Sequence, residues 1–141
     1  MTQTQLLLLP AFVHVALVMV IAACMGLGRV RAVREGKVRV KDIALDSSKW
    51  PDDLRKLSNN YENQFQLPVF YYAVLALLLV TGLADGVAVV LSWIFVATRL
   101  VHTLIHTGGN VVLRRFQAFL AGLVIIVLMW AWFGLRLYVI G

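Results

Sequence analysis

The sequence predicts an all-α membrane protein: one domain over residues 1–141, a bundle of four transmembrane helices with almost no soluble body. Three observations carry that reading. Of the 141 residues, 61% are hydrophobic and only 14% charged, against about 45–50% and about 25% in an ordinary soluble domain. The apolar excess is gathered into four blocks, each close to the ~20 residues that cross a ~30 Å hydrocarbon core. Backbone groups in lipid must be satisfied internally, and the blocks lack the dyad alternation of a barrel, so they read as helices.

The first block runs roughly from Gln5 to Gly28. It exceeds a signal-peptide core, carries no basic n-region and is followed by positive charge instead of a cleavage site, so it is expected to be a retained span. Pro10 lies in its first turns, where a missing N–H costs least. Cys24, the single cysteine, has no internal disulfide partner and reads as a small packing residue. The second block runs from Leu67 to Ala84, the third from Gly86 to His106 and the fourth from Phe116 to Ile140. Gly82 to Gly86 is a tight turn, and His106 to Arg115 is a short polar link containing Gly108, Gly109 and Asn110.

The one long connection, Arg29 to Gln66, holds nine of the thirteen Lys and Arg residues. Arg29 to Lys41 either continues the first helix or leaves it as a basic strip. The run from Asp46 through Trp50, Pro51, Asp52 and Asp53 resembles a cap followed by a new helix, with proline and acids in the first turn. That helix can run through Asn59 and Glu62 into the second span, and Pro68 would kink or open it. Trp50, Trp93, Trp130 and Trp132 are candidate interfacial anchors, the last two able to lie deeper.

Polar residues inside the apolar blocks carry the functional information. Arg99 lies some seven residues before the end of the third span, ~10 Å deep at the helical rise. A central arginine costs ~2.5–3.5 kcal/mol on insertion scales and usually faces a bundle interior or a wet cavity. Arg99, His102 and His106 fall at i, i+3 and i+7, on one helix face. Asn59, Glu62, Asn63 and Gln66 repeat that periodicity before the second span, which predicts a Glu62–Arg99 ion pair between the two helices. Arg114 and Arg115 begin the fourth span, where free helix N–H groups and the dipole favour an anion, although arginine there also serves topology alone. His14 is isolated on an apolar face and reads as a packed or hydrogen-bonded histidine. His102 and His106 are spaced like metal ligands, but no cysteine or supporting carboxylate accompanies them, so no metal is expected. Together these clusters describe an intramembrane pocket that takes a soluble anion on its arginines and an apolar reactant from the bilayer. Ser-His-Asp, phosphate-loop and dinucleotide patterns are absent. The basic residues hug the membrane, which speaks against nucleic acid and for anionic headgroups.

Nearly the whole chain resembles the membrane-associated proteins in eicosanoid and glutathione metabolism. The stretch Arg55-Lys56-Leu57-Ser58-Asn59-Asn60-Tyr61-Glu62 is similar to the family's Arg-x-His-x-Asn-x-x-Glu motif. Arg99-Leu100-Val101-His102 is similar to its Arg-x-x-His, and Arg115 to the arginine that stabilises the glutathione thiolate. The resemblance implies a homotrimer with glutathione between neighbouring subunits. Arg55, Asn59, Glu62, Arg99, His102 and His106 would hold it, with Arg31 or Arg34 contributing from the end of the first helix and Arg115 in the catalytic role. His106 stands where family enzymes usually carry tyrosine, Leu57 replaces the motif's histidine, and Phe116 leaves no hydroxyl beside Arg115.

The expected function is a glutathione-dependent transferase or peroxidase acting on lipophilic electrophiles or lipid hydroperoxides. The alternatives are a non-catalytic lipid-binding or scaffold protein of the same family and a small multidrug transporter. A proton-coupled exporter would want an acid in a span interior, and the first span has none. The expected setting is a bacterial inner membrane. Eleven Lys and Arg residues lie on the side of the long loop, against Arg136 on the other, so the loop is expected in the cytoplasm and both termini outside. A reporter joined after Gly141 should therefore read as non-cytoplasmic; a cytoplasmic signal would reverse the topology.

Overall fold

The computed structural model describes residues 1–44 and 46–140; Leu45, in the long loop, and Gly141 lie outside the described residues. Helix α1 spans Gln3–Arg34, α2 Val40–Ile43, α3 Asp52–Asn63, α4 Leu67–Val80, α5 Gly86–Thr107 and α6 Val112–Leu135, with a 3-10 turn at Ser47–Lys49 and a π turn at Arg136–Ile140. Four stretches are long and apolar enough to cross a membrane: Gln3–Arg34, Asp52–Val80, Gly86–Thr107 and Val112–Ile140. Helix α5 packs against α1, α3 and α6, and α4 closes the bundle against α6 and α1. The core is a layer of Leu7, Tyr71, Val74, Leu78, Phe95, Val96, Ile126 and Met129, in which the Tyr71 and Phe95 rings stack at 4.5 Å. Large apolar side chains such as Phe12, Met19, Leu104 and Phe116 remain exposed on the outer faces, as suits a lipid or subunit environment.

The helix ends depart from the sequence expectation in ways that matter for the site. The first helix continues to Arg34, so Arg29 stays helical and donates to Ser58 Oγ at 3.1 Å while covering the Trp50 ring at 5.1 Å. Pro10 is eight residues into a continuous helix and not in its first turn, because Thr2 caps that helix with a reciprocal bond to Gln5. Cys24 is exposed, which corrects its reading as a packing residue. Helix α6 starts at Val112, so Arg114 and Arg115 are helical and not part of the link.

The break expected around Pro68 is present between α3 and α4. Proline offers no N–H, and its ring clashes with the carbonyl four residues back, here Gln64. The chain tightens instead: Gln64 N–H donates to the Tyr61 carbonyl and Phe65 N–H to the Glu62 carbonyl, both at 3.0 Å. The carbonyls of Asn60 and Asn63 thereby lose the helical donors they would otherwise have. Asn60 O accepts instead from the Gln64 side chain at 3.3 Å, and Asn63 O from Arg99 Nη2 at 3.4 Å. At the opposite end, Gly82 takes a left-handed φ of 70° to end α4. Asp85 then caps α5 through Ala88 N–H, accepts from Trp132 Nε1 at 3.1 Å and pairs with Arg136 at 3.6 Å. One carboxylate thus fixes both the α4–α5 turn and the end of α6.

Candidate functional site

Three helices each present one stripe to a common cleft of about 400 Å3, a size within the ~300–1,000 Å3 of small-molecule sites. Helix α3 gives Asn59, Glu62 and Asn63, with Gln66 just beyond its end. Helix α5 gives His102 and His106, and α6 gives Val112, Arg115, Phe116 and Phe119. The i, i+3, i+4, i+7 spacing of both polar stripes is what brings them to one wall. Helix α6 has no side-chain cap at its start, so its first N–H groups and its dipole add positive potential beside Arg115. Arg115 Nη1 donates to Asn110 Oδ1 at 2.8 Å and to His106 Nε2 at 3.3 Å, whereas Arg114 is exposed and does not line the cleft.

Five of the nine residues expected at the site from sequence therefore line the cleft: Asn59, Glu62, His102, His106 and Arg115. Arg55 lies next door, in a smaller cavity of about 130 Å3 that shares Asn59 and Glu62 with the cleft and adds Ser47, Ser48, Trp50 and Ser58. Arg55 also pairs with Asp52 at 3.2 Å. Arg31 and Arg34 are exposed at the end of α1 and do not line the cleft within one chain.

Arg99 is behind the wall and is 0% exposed. It does not pair with Glu62, which is exposed on the cleft face; this corrects the expected ion pair. Its nitrogens meet Gln64 Oε1 at 3.5 Å and the Asn63 carbonyl at 3.4 Å. The break before Pro68 leaves the Asn63 carbonyl without a helical donor, and this carbonyl and the Gln64 amide oxygen meet Arg99 instead.

Gln64 is the residue that sequence reading missed. It is 2% exposed and joins four side chains on three helices, α1, α3 and α5. Its Nε2 donates to Asn60 Oδ1 at 3.0 Å and Thr103 Oγ1 at 3.2 Å; its Oε1 faces Arg99 and His14 Nε2, the latter at 3.2 Å. A guanidinium only donates, so the Gln64 atom beside it must be the oxygen. That oxygen in turn requires His14 Nε2 to carry a hydrogen, leaving Nδ1 to accept from the Tyr72 hydroxyl at 2.7 Å. His14 is thus a hydrogen-bonded core histidine, as its apolar neighbourhood indicated. The signal for Gln64 was present as Asn60 and Gln64 at i, i+4, a second polar stripe beside the first. Beyond it, between α1 and the α3–α4 break, lies an apolar groove of about 270 Å3 walled by residues such as Val15, Met19, Phe65 and Val69, with His14, Gln64 and Tyr72 among its polar lining.

Among the described residues no group of three His, Cys, Asp or Glu side chains could hold a metal ion. Among the described residues Arg99 Nη1, His102 Nδ1 and His106 Nδ1 are buried without a partner; the first is a donor, and His106 Nδ1 carries the ring hydrogen because Nε2 accepts from Arg115. That donor set suits an anionic, amide-bearing ligand. A family model described as the MAPEG family matches residues 7–135. No curated protein and no solved structure matches the chain.

Gln64→Leu would strip partners from Arg99, His14, Asn60 and Thr103 at once. Each buried polar group left unsatisfied costs about 1–3 kcal/mol, so the variant should lose roughly 3 kcal/mol or more of stability, read as a large fall in thermal unfolding temperature in detergent. Gln64→Glu keeps acceptors for Arg99 and should fall less. Equal losses would show that the Arg99 contact contributes little.

Proposed function

We propose that this chain, which belongs to the MAPEG family, is a membrane-bound glutathione-dependent transferase or peroxidase acting on lipophilic electrophiles or lipid hydroperoxides. The observation that carries the reading is Arg115: a half-buried guanidinium at the start of α6, in the same cleft as Glu62, Asn59 and the two histidines. Glutathione is a tripeptide with one ammonium, two carboxylates and a thiol. Glu62 is the one acid of the cleft and suits the ammonium; Asn59, Asn63 and Gln66 suit the peptide groups; Arg55, in the adjoining cavity, suits a carboxylate. Phe116 and Phe119 give the side toward α6 an apolar wall for the second reactant.

In this reading Arg115 and the free N–H groups of α6 stabilise the thiolate, and the thiol proton leaves to water at the open mouth. A free thiol has pKa ~8.5, so little of it is reactive at neutral pH without such help. The sulfur then bonds to the electrophilic carbon as its leaving group departs. With a hydroperoxide it takes one oxygen while the alkoxide leaves, and a second glutathione reduces the sulfenic acid to give a disulfide and water. Arg99 and Gln64 act from behind the wall, holding the α3–α4 break so that Asn59, Glu62 and Asn63 face the cleft. We further assign the active unit as a homotrimer, in which Arg31 or Arg34 of a neighbouring subunit reaches the cleft, and the mouth as facing the cytoplasm.

A second reading, a lipid-binding member without turnover, draws on the apolar groove between α1 and the α3–α4 break. The two are separated by titrating purified, detergent-solubilised protein with glutathione and measuring conjugation of a generic lipophilic electrophile. Arg115→Leu should cut kcat by roughly tenfold or more with glutathione KM little changed, since one pKa unit of thiol is ~1.36 kcal/mol. Glu62→Gln combined with Asn59→Ala should raise KM with a smaller effect on kcat. Arg114→Leu is the control and should change neither. Absence of glutathione binding by the unaltered protein would leave the lipid-binding reading in its place.

A further inference from the structure

The link between α5 and α6 contains two glycines, Gly108 and Gly109, yet its left-handed position is taken by Asn110, with φ 47°. Asn110 is the sole non-glycine residue with positive φ among the described residues. If the link needed only the turn, glycine would adopt that conformation without steric cost. Asparagine is the residue next most at ease there, and what it adds is a side chain. Its backbone N–H is tied to the Ile105 carbonyl at 2.8 Å, so the residue is fixed to the end of α5. Its amide oxygen accepts from Arg115 Nη1, also at 2.8 Å.

The same nitrogen donates to His106 Nε2 at 3.3 Å. Nη1 carries two hydrogens, and these two acceptors take both. A guanidinium has no lone pair to offer, so His106 Nε2 must be unprotonated and its hydrogen must sit on Nδ1. Among the described residues Arg115 Nε and Nη2 have no hydrogen-bond partner, and the residue lines the cleft. Arg114, one position earlier, has no such acceptors and stays exposed. Helix geometry sends the two adjacent arginines in different directions, and only the one on the cleft side meets a clamp.

We propose that Asn110 is a positioning residue: with His106 it turns the Arg115 guanidinium into the cleft and so sets how strongly that cation acts on a bound thiol. This rests on the glutathione reading of the cleft. Hydrogen bonds to an ionised group are roughly twice as strong as neutral ones, so losing the shorter of the two frees Arg115 to swing out as Arg114 does. It also reassigns His106, whose Nε2 lone pair is committed to Arg115 and not to the ligand.

The test compares the full-length, detergent-solubilised protein with Asn110→Gly and Asn110→Asp. Glycine accepts the left-handed turn, so a purely structural Asn110 would leave Asn110→Gly unchanged or improved. A positioning Asn110 should instead raise the pKa of bound glutathione, followed as thiolate ultraviolet absorbance against pH, by about one unit. Turnover should fall at neutral pH and recover at high pH, with affinity little changed. A thiol pKa in Asn110→Gly equal to that of the parent protein overturns the proposal. The clamp is also read without any ligand, as the rate at which phenylglyoxal modifies Arg115, followed by peptide mass mapping. Asn110→Gly should react faster, and Asn110→Asp, which keeps the oxygen, should stay protected while its carboxylate offsets the guanidinium charge and raises the thiol pKa. Equal modification rates in all three proteins overturn the clamp. If the parent protein binds no glutathione, the glutathione reading fails, and these modification rates still decide whether Asn110 holds Arg115.

Discussion

A guanidinium inside a membrane-spanning helix needs its N–H groups answered by protein, and Arg99 places that demand on the centre of this bundle. Among the described residues no carboxylate meets it. Its partners are the Gln64 amide oxygen and the Asn63 carbonyl, both supplied by the interrupted second span. Pro68 forces the interruption, the interruption releases backbone carbonyls, and the buried arginine and glutamine consume them. A buried charge held by neutral groups is costly to disturb, because removing one partner leaves the rest unsatisfied in a low-dielectric interior. The geometry of the α3–α5 contact is therefore fixed by mutual need, and the cleft inherits that fixity: Asn59, Glu62 and Asn63 face it because Asn60 and Gln64, on the adjoining stripe, are engaged behind it.

The two ends of the bundle are built on opposite electrostatic lines. At one end a single acid, Asp85, gathers the α5 cap, the Trp132 indole and Arg136. Its acceptors are used within the chain, although Arg136 Nε has no partner among the described residues. At the other end cations outnumber acids, and the donors Arg99 Nη1 and His106 Nδ1 have no partner among the described residues. An excess of buried donors beside a polar cleft is a poor way to hold a fold together, since each costs about 1–3 kcal/mol unless something accepts from it. It is a reasonable way to prepare for an anion. In the function proposed above, that anion is a thiol-bearing peptide beside Arg115; the family match itself shows MAPEG membership over residues 7–135.

Much of the site was legible because its residues repeat at helical spacing. Asn59, Glu62, Asn63 and Gln66 form one stripe, and His102 with His106 another; periodicity alone places each set on one face. What failed was pairing across helices. The expected Glu62–Arg99 contact took the nearest opposite charge as the partner and left the amide and carbonyl groups at the Pro68 break out of account. Arg99 meets the Gln64 amide and the Asn63 carbonyl, at the end of α3, while Glu62, inside α3, lines the cleft. Gln64 was overlooked although Asn60 and Gln64 at i, i+4 mark a second polar stripe, because an uncharged pair does not announce which buried groups it will meet.

By itself the sequence determined the four-helix membrane architecture, the break before Pro68, the long basic connection and the two polar stripes. Composition and spacing are enough for these, because lipid leaves the backbone few alternatives and a helix maps sequence onto faces by fixed geometry. Only the tertiary structure decided which of Arg114 and Arg115 turns inward, that Arg99 stands behind the cleft, and that Arg31 and Arg34 lie outside it within one chain. Those outcomes turn on where single hydrogen-bond acceptors fall: Asn110 and His106 beside Arg115, and Gln64 and the Asn63 carbonyl beside Arg99. Acceptors of that kind sit on other helices or in the main chain, where no spacing rule within one segment can place them.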